Sequence, residues 1–109
     1  MQTRRIRIRL KPGTADRMEQ WLVSSFGDRH DEALASMRNN GLLWECAYIE
    51  RGEVDVVVLL QCSDDFGETS RRFLGSDLPI DRDAQAVLGE VGEQFDSVVA
   101  PAYLTVRER

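Results

Sequence analysis

The chain is poor in histidine and cysteine, and each scarcity removes a class of function. Its one histidine, His30, stands beside Asp28, Arg29, Asp31 and Glu32 in a stretch of helical character. A metal site takes three or four convergent ligands, so His30 reads as part of a solvated helix surface and no metal or cofactor is expected. Two cysteines, Cys46 and Cys62, are too few for a disulfide scaffold and lie outside CxxC spacing. No run approaches the roughly 18 apolar residues that span a bilayer. Residues 1–6 carry charge without the apolar core of a signal peptide, which makes a cytoplasmic location the expectation. Basic groups are outnumbered, 14 to 19, for a net charge of −5. Nonspecific nucleic-acid binding relies on basic surface to displace counterions, and anionic lipid attracts the same kind of surface, so neither partner is expected. Phosphate-cradling GxGxxG and GxxxxGK[ST] loops are missing, as is any readable Ser/His/Asp nucleophile motif.

What remains is an ordinary globular composition: 109 residues, 42% hydrophobic and 30% charged. That fits one domain over residues 1–109, long enough for a core without staples. Thirteen of the fourteen basic residues are arginine, with Lys11 the exception, a bias that points to a GC-rich bacterial genome.

Residues 4–10 alternate, with Ile6, Ile8 and Leu10 on one face and Arg5, Arg7 and Arg9 on the other. Period two with β-branched residues predicts a half-buried strand, ended by Lys11-Pro12-Gly13. Thr14 is placed to cap a helix over residues 15–39. Gly27-Asp28 interrupts its apolar spacing, and Asn39-Asn40-Gly41 stops it. Residues 42–50 and 54–62 then read as a hairpin around Arg51-Gly52-Glu53. The row Val54, Val56, Val58 and Leu60 is expected to face the helices, leaving Val57 and Leu59 on the opposite side. A two-residue turn separates Cys46 and Cys62 onto opposite faces. A three-residue turn puts them on one face, about four residues out of register, or roughly 13 Å. A disulfide needs Cα atoms within about 7 Å, so both thiols are expected free and largely buried. Residues 63–77 suggest a short helix inside a polar loop. Residues 81–95 read as a helix in which Gly89 and Gly92 mark close backbone approach. Residues 101–107, alternating Ala102, Leu104 and Val106 with Tyr103, Thr105 and Arg107, read as the fourth strand.

The order βαββαβ is the ferredoxin-like arrangement, an α+β fold with a four-stranded antiparallel sheet and helices on one face. Strand one is central in it, and the other sheet face is open. Four pieces of sequence carry a resemblance: Lys11-Pro12-Gly13, Trp21 with Glu32-Ala33-Leu34, Gly41-Leu42-Leu43-Trp44-Glu45, and Pro79-Ile80-Asp81. Over about residues 4–107 the chain resembles a small bacterial domain family of unknown function within the dimeric α+β barrel superfamily, which includes antibiotic-biosynthesis monooxygenases and haem-degrading enzymes. The resemblance implies a homodimer through the open sheet face. It also implies a histidine shortly after the Ile-Asp pair, where this chain has Asp83-Ala84, and a haem-ligating histidine on the second helix, where it has none. No catalytic residue is therefore carried over.

The candidate site is the open face. Arg5, Arg7 and Arg9, about 7 Å apart, either form an anion-binding wall or pair with carboxylates such as Asp55, Glu45 or Glu50. Trp44, Tyr48 and Tyr103 either hold a flat ligand or pack at a dimer interface. Glu45 is the carboxylate singled out, because strand interiors rarely hold an unpaired charge. Three functions remain open: a dimeric barrel binding a small organic or anionic ligand in the sheet cleft, a cofactor-independent monooxygenase-like enzyme on an aromatic substrate, and a structural or regulatory interaction module.

Overall fold

Alternation in the first segment produces the strand it predicts, β1 (Gln2–Leu10), with Ile6, Ile8 and Leu10 buried. The structure, a computed structural model, describes residues 1–102 together with Leu104 and Val106. Thr14 precedes α1 (Ala15–Val23), though its hydroxyl donates to the Lys11 carbonyl at 2.7 Å and not to the helix. The interruption at Gly27-Asp28 is a π-helical turn, Ser24–Asp28, closed by the Arg29 amide on the Ser24 carbonyl at 2.9 Å. It divides the long predicted helix into α1 and α2 (His30–Asn40). Gly41 ends α2 at φ 78°, a left-handed conformation that glycine adopts without a Cβ clash. Arg29 ties the pieces together: it bonds Glu32 at 2.8 Å and Asp83 at 2.7 Å, and sits 5.8 Å from the Trp21 ring centre.

The hairpin comprises β2 (Leu42–Glu50) and β3 (Val56–Ser63). Asp65 caps α3 (Phe66–Leu74) by accepting the Glu68 amide at 3.0 Å. Then come α4 (Pro79–Val91) and β4 (Gly92–Val99). The sheet is antiparallel in the order β2-β3-β1-β4, a ferredoxin-like α+β fold with β1 central. Met18, Val57, Val87 and Val91 join the β1 row in the core between sheet and helices.

Three expectations need correction. The last helix stops at Val91, and Gly92 opens β4 directly, so the fourth strand of the sheet is Gly92–Val99. A Cβ on Gly92 would lie 2.7 Å from the Leu88 carbonyl and 3.2 Å from Ile8, so helix and strand meet there without a connecting loop; at Gly89 nothing stands within 4 Å. Ala102, Leu104 and Val106 are exposed and outside any strand, while Tyr103, Thr105 and Arg107 lie outside the described residues.

The second correction concerns β3. Val57 and Leu59 pair with Ile8 and Ile6 and face the helices, whereas Val56, Val58 and Leu60 pair with the arginine row on the open face. The third concerns the thiols. Glu50 opposite Val56 leaves a five-residue turn, placing Cys46 opposite Leu60 and Trp44 opposite Cys62. The cysteines therefore share a face, two residues out of register, a diagonal of about 7–8 Å. Both are free, but only Cys62 is buried; Cys46 is exposed. In the single chain the Cys46 thiol should accordingly react with Ellman's reagent before that of Cys62, which should wait for denaturant. A Cys62 that reacts first would contradict the register.

Candidate functional site

Because side chains alternate across a strand, the register sorts the candidate residues onto two surfaces. On the open face the cross-strand rows run Val98–Arg5–Leu60–Cys46, Asp96–Arg7–Val58–Tyr48 and Gln94–Arg9–Val56–Glu50. Trp44 continues the face beside Cys62. Glu45 points the opposite way, under the helices, so the structure does not bring it together with Arg5, Arg7, Arg9 and Trp44.

Each open-face arginine has a carboxylate of its own chain. Arg5 meets Asp96 at 3.3 Å, Arg7 reaches across β3 to Glu50 at 3.2 Å, and Arg9 meets Glu93 at 3.4 Å. All six side chains are partly solvated, so each pair contributes roughly 0–1 kcal/mol; its larger effect is to neutralise the row. Asp55 is occupied elsewhere, accepting the Gly52 amide at 3.1 Å. Neutralised arginines on β1 leave the β2–β3 half of the face mainly apolar. Val58 and Cys62 are buried there, while Trp44, Tyr48 and, on β4, Val98 are exposed.

The second surface is an interior polar row on the helix side. Arg4 shares its face with Ile6 and Ile8. Its Nε donates to Gln61 Oε1 at 2.8 Å, and Gln61 Nε2 donates to Glu45 Oε2 at 2.5 Å. Arg4 also donates to Ser70 at 3.3 Å and lies 4.3 Å from the Phe66 ring centre. Asp81, in the first turn of α4, accepts Ser36 Oγ at 2.5 Å and Asn40 Nδ2 at 3.2 Å. Burial pushes the Glu45 carboxyl above the usual range, outweighing the Gln61 hydrogen bond and the charge of Arg4, which pull it down. Burial likewise lowers Arg4.

Arg4, Gln61 and Asp81 were not singled out from sequence. Arg4 was the most legible, as the one charge on the apolar parity of β1; Gln61 and Asp81 need the register. A surface depression of about 460 Å³ lies apart from both surfaces, lined by Asn39, Arg71, Arg72, Ser76 and Asp77. Its two arginines are already bound to Glu68. His30 is exposed, 3.7 Å from Asp31. Among the described residues no helix is long and apolar enough to cross a membrane.

Solved structures share this architecture at low identity. A proposed antibiotic biosynthesis monooxygenase from Bacteroides thetaiotaomicron superposes with a TM-score of 0.65 at 16% identity, covering 99% of this chain and 94% of its own. A second such protein, from Deinococcus radiodurans, gives 0.60 at 15% identity, covering 100% and 99%. A NIPSNAP-like domain protein from Burkholderia xenovorans gives 0.60 at 16%, covering 99% and 89%. These likenesses establish the fold. No curated protein matches the chain. One sequence family covers all of it, residues 1–109, and the chain belongs to that family: the family of unknown function DUF6176.

Proposed function

We propose that the protein is a cytosolic homodimer closed over the open sheet face, in which the joined sheets hold a small, flat organic ligand against Trp44. The observation that carries this reading is the composition of that face. Its arginines bring their own counterions, so burying it strands no charge, while Trp44, Tyr48 and Val98 lie exposed, with no helix among the described residues over them. Four strands at about 4.8 Å spacing and eight residues at about 3.3 Å rise give a face of roughly 500 Å² in projection. That is the same order as the ~800 Å² of accessible surface a standard interface takes from each partner.

The neutralised row argues for an organic ligand over an anionic one: a phosphate or carboxylate would have to displace Asp96, Glu50 or Glu93. Tyr103 joins this proposal only through the sequence. The likeness to proposed monooxygenases makes oxygenation of an aromatic substrate the rival reading. Light scattering at micromolar concentration should report about twice the 12.4 kDa chain mass. Titration with 2-naphthol should quench tryptophan emission in the native protein but not in Trp44→Leu. Equal quenching in both would remove the ligand from this face.

A further inference from the structure

The alternating segment at residues 101–107 has no role in the single chain. The Ala100 amide still donates to the Thr3 carbonyl at 2.8 Å. Beyond it the sequence places Ala102, Leu104 and Val106 at every second position. Leu104 and Val106 are wholly exposed, so nothing of their own chain shields them. A return onto the outer edge of β4 would shield both in part.

The sheet holds a complement to this segment. β2 is an edge strand, with β3 as its one neighbour in the sheet. Seven of its nine residues, at 42–44 and 46–49, are apolar or aromatic, and Leu43, Trp44 and Tyr48 are exposed. The other edge, β4, has three such residues in eight. A long apolar edge offers unpaired N–H and C=O groups to any extended chain that reaches it.

We propose that residues 101–107 are an exchange arm, which leaves its own sheet after Ala100 and adds as a fifth strand to the β2 edge of a second copy of this chain. The exchange rests on the face-to-face dimer, which brings a second sheet within reach. Facing sheets lie about 10 Å apart, a gap that about three extended residues cross. The arm's own β2 is too far away. Val99, Arg4, Gln61 and Glu45 form one row across the sheet. A strand outside β2 therefore stands four spacings from β4, roughly 19 Å, and the crossing alone would take about six residues. On the partner's edge the arm's backbone completes the hydrogen bonding of β2, as in other strand additions. Leu104 and Val106 then leave water on the same side of the arm, because alternate side chains share a face. Two-fold symmetry makes each copy both donor and recipient, so neither β2 edge stays open.

Photocrosslinking reads the exchange in the full chain. Protein carrying p-benzoylphenylalanine in place of Leu104, refolded from an equal mixture of nitrogen-15-labelled and unlabelled chains, should yield mixed-isotope peptides joining position 104 to residues 42–50. Links to 42–50 within one isotope only, or links confined to other surfaces, overturn the exchange; a mass by light scattering of twice the chain would then leave the dimer itself standing. A monomer overturns both. Leu104→Asp combined with Val106→Asp should keep the circular dichroism of the chain, since neither side chain touches it. The pair should raise the dimer dissociation constant by roughly 100-fold or more. An unchanged constant overturns the exchange even where Tyr48→Asp dissociates the dimer.

Discussion

Tyr48→Asp should convert the proposed dimer to a folded monomer. Tyr48 is exposed on the open face, in one row with Val58, Arg7 and Asp96. The substitution touches no core contact, and surface changes of this kind alter chain stability by about 0.5 kcal/mol or less. In a two-fold dimer the same residue enters the interface from both copies. Each copy would bury a carboxylate for which the face has no spare cation, because Arg5, Arg7 and Arg9 are engaged. An unpaired buried ion costs several kcal/mol, so the dissociation constant should rise by roughly 1,000-fold or more. Sedimentation velocity reads the mass and circular dichroism the fold. An unchanged dimer would show that the copies meet elsewhere.

Met18→Ala gives the largest loss of chain stability. Met18 is 2% exposed and packs with Ile6, Ile8, Leu10 and Val57. Truncation of a buried methionine costs about 2–5 kcal/mol through lost transfer energy and the cavity left behind. For a domain of this size the melting temperature should fall by roughly 10 °C or more. Phe95→Ala is the contrasting case. Read as the last apolar residue of a helix, Phe95 would be core; on β4 it is 67% exposed, and its loss should barely move the melting temperature of the chain. Calorimetry on the two variants in the Tyr48→Asp background separates packing from association. Equal losses would restore the longer helix.

These two side chains also show why part of the fold was legible in the sequence and part was not. β1 has one wet face and one dry face, so its alternation names both. β3 is interior to the sheet and buried on both sides: Val57 is 0% exposed and Val58 1%. A run of valines and leucines with no polar side carries no parity, and choosing Val56 and Val58 for the helices placed the wrong row inside. β4 is the opposite case. Its sequence, GEQFDSVV, is exposed beyond Gly92, so an edge strand of this kind has no apolar period to read. The helix-like spacing upstream ran on to Phe95 until Gly92, tight against Leu88 and Ile8, stopped it.

The candidate site divides along the same line. Arg5, Arg7 and Arg9 were placed on one face by alternation, and their pairing with carboxylates was one of the two readings open from the sequence. Their partners were not legible, because Asp96 and Glu93 belong to a strand the sequence did not reveal. Glu45 was singled out for being a charge inside a strand, which is physically what makes it unusual. Its surroundings depend on contacts of long sequence separation, with Gln61 and through it with Arg4, and only the folded register assembles them.

The central claim is that a second copy covers the open sheet face. Isotope-filtered NOE spectroscopy on a mixture of carbon-13-labelled and unlabelled protein reads that contact directly, since only protons on different chains give cross-peaks. The account predicts intermolecular cross-peaks from Tyr48, Leu60 and Val98. Cross-peaks confined to helical residues such as Val23 or Leu74, or none at millimolar concentration, would contradict it.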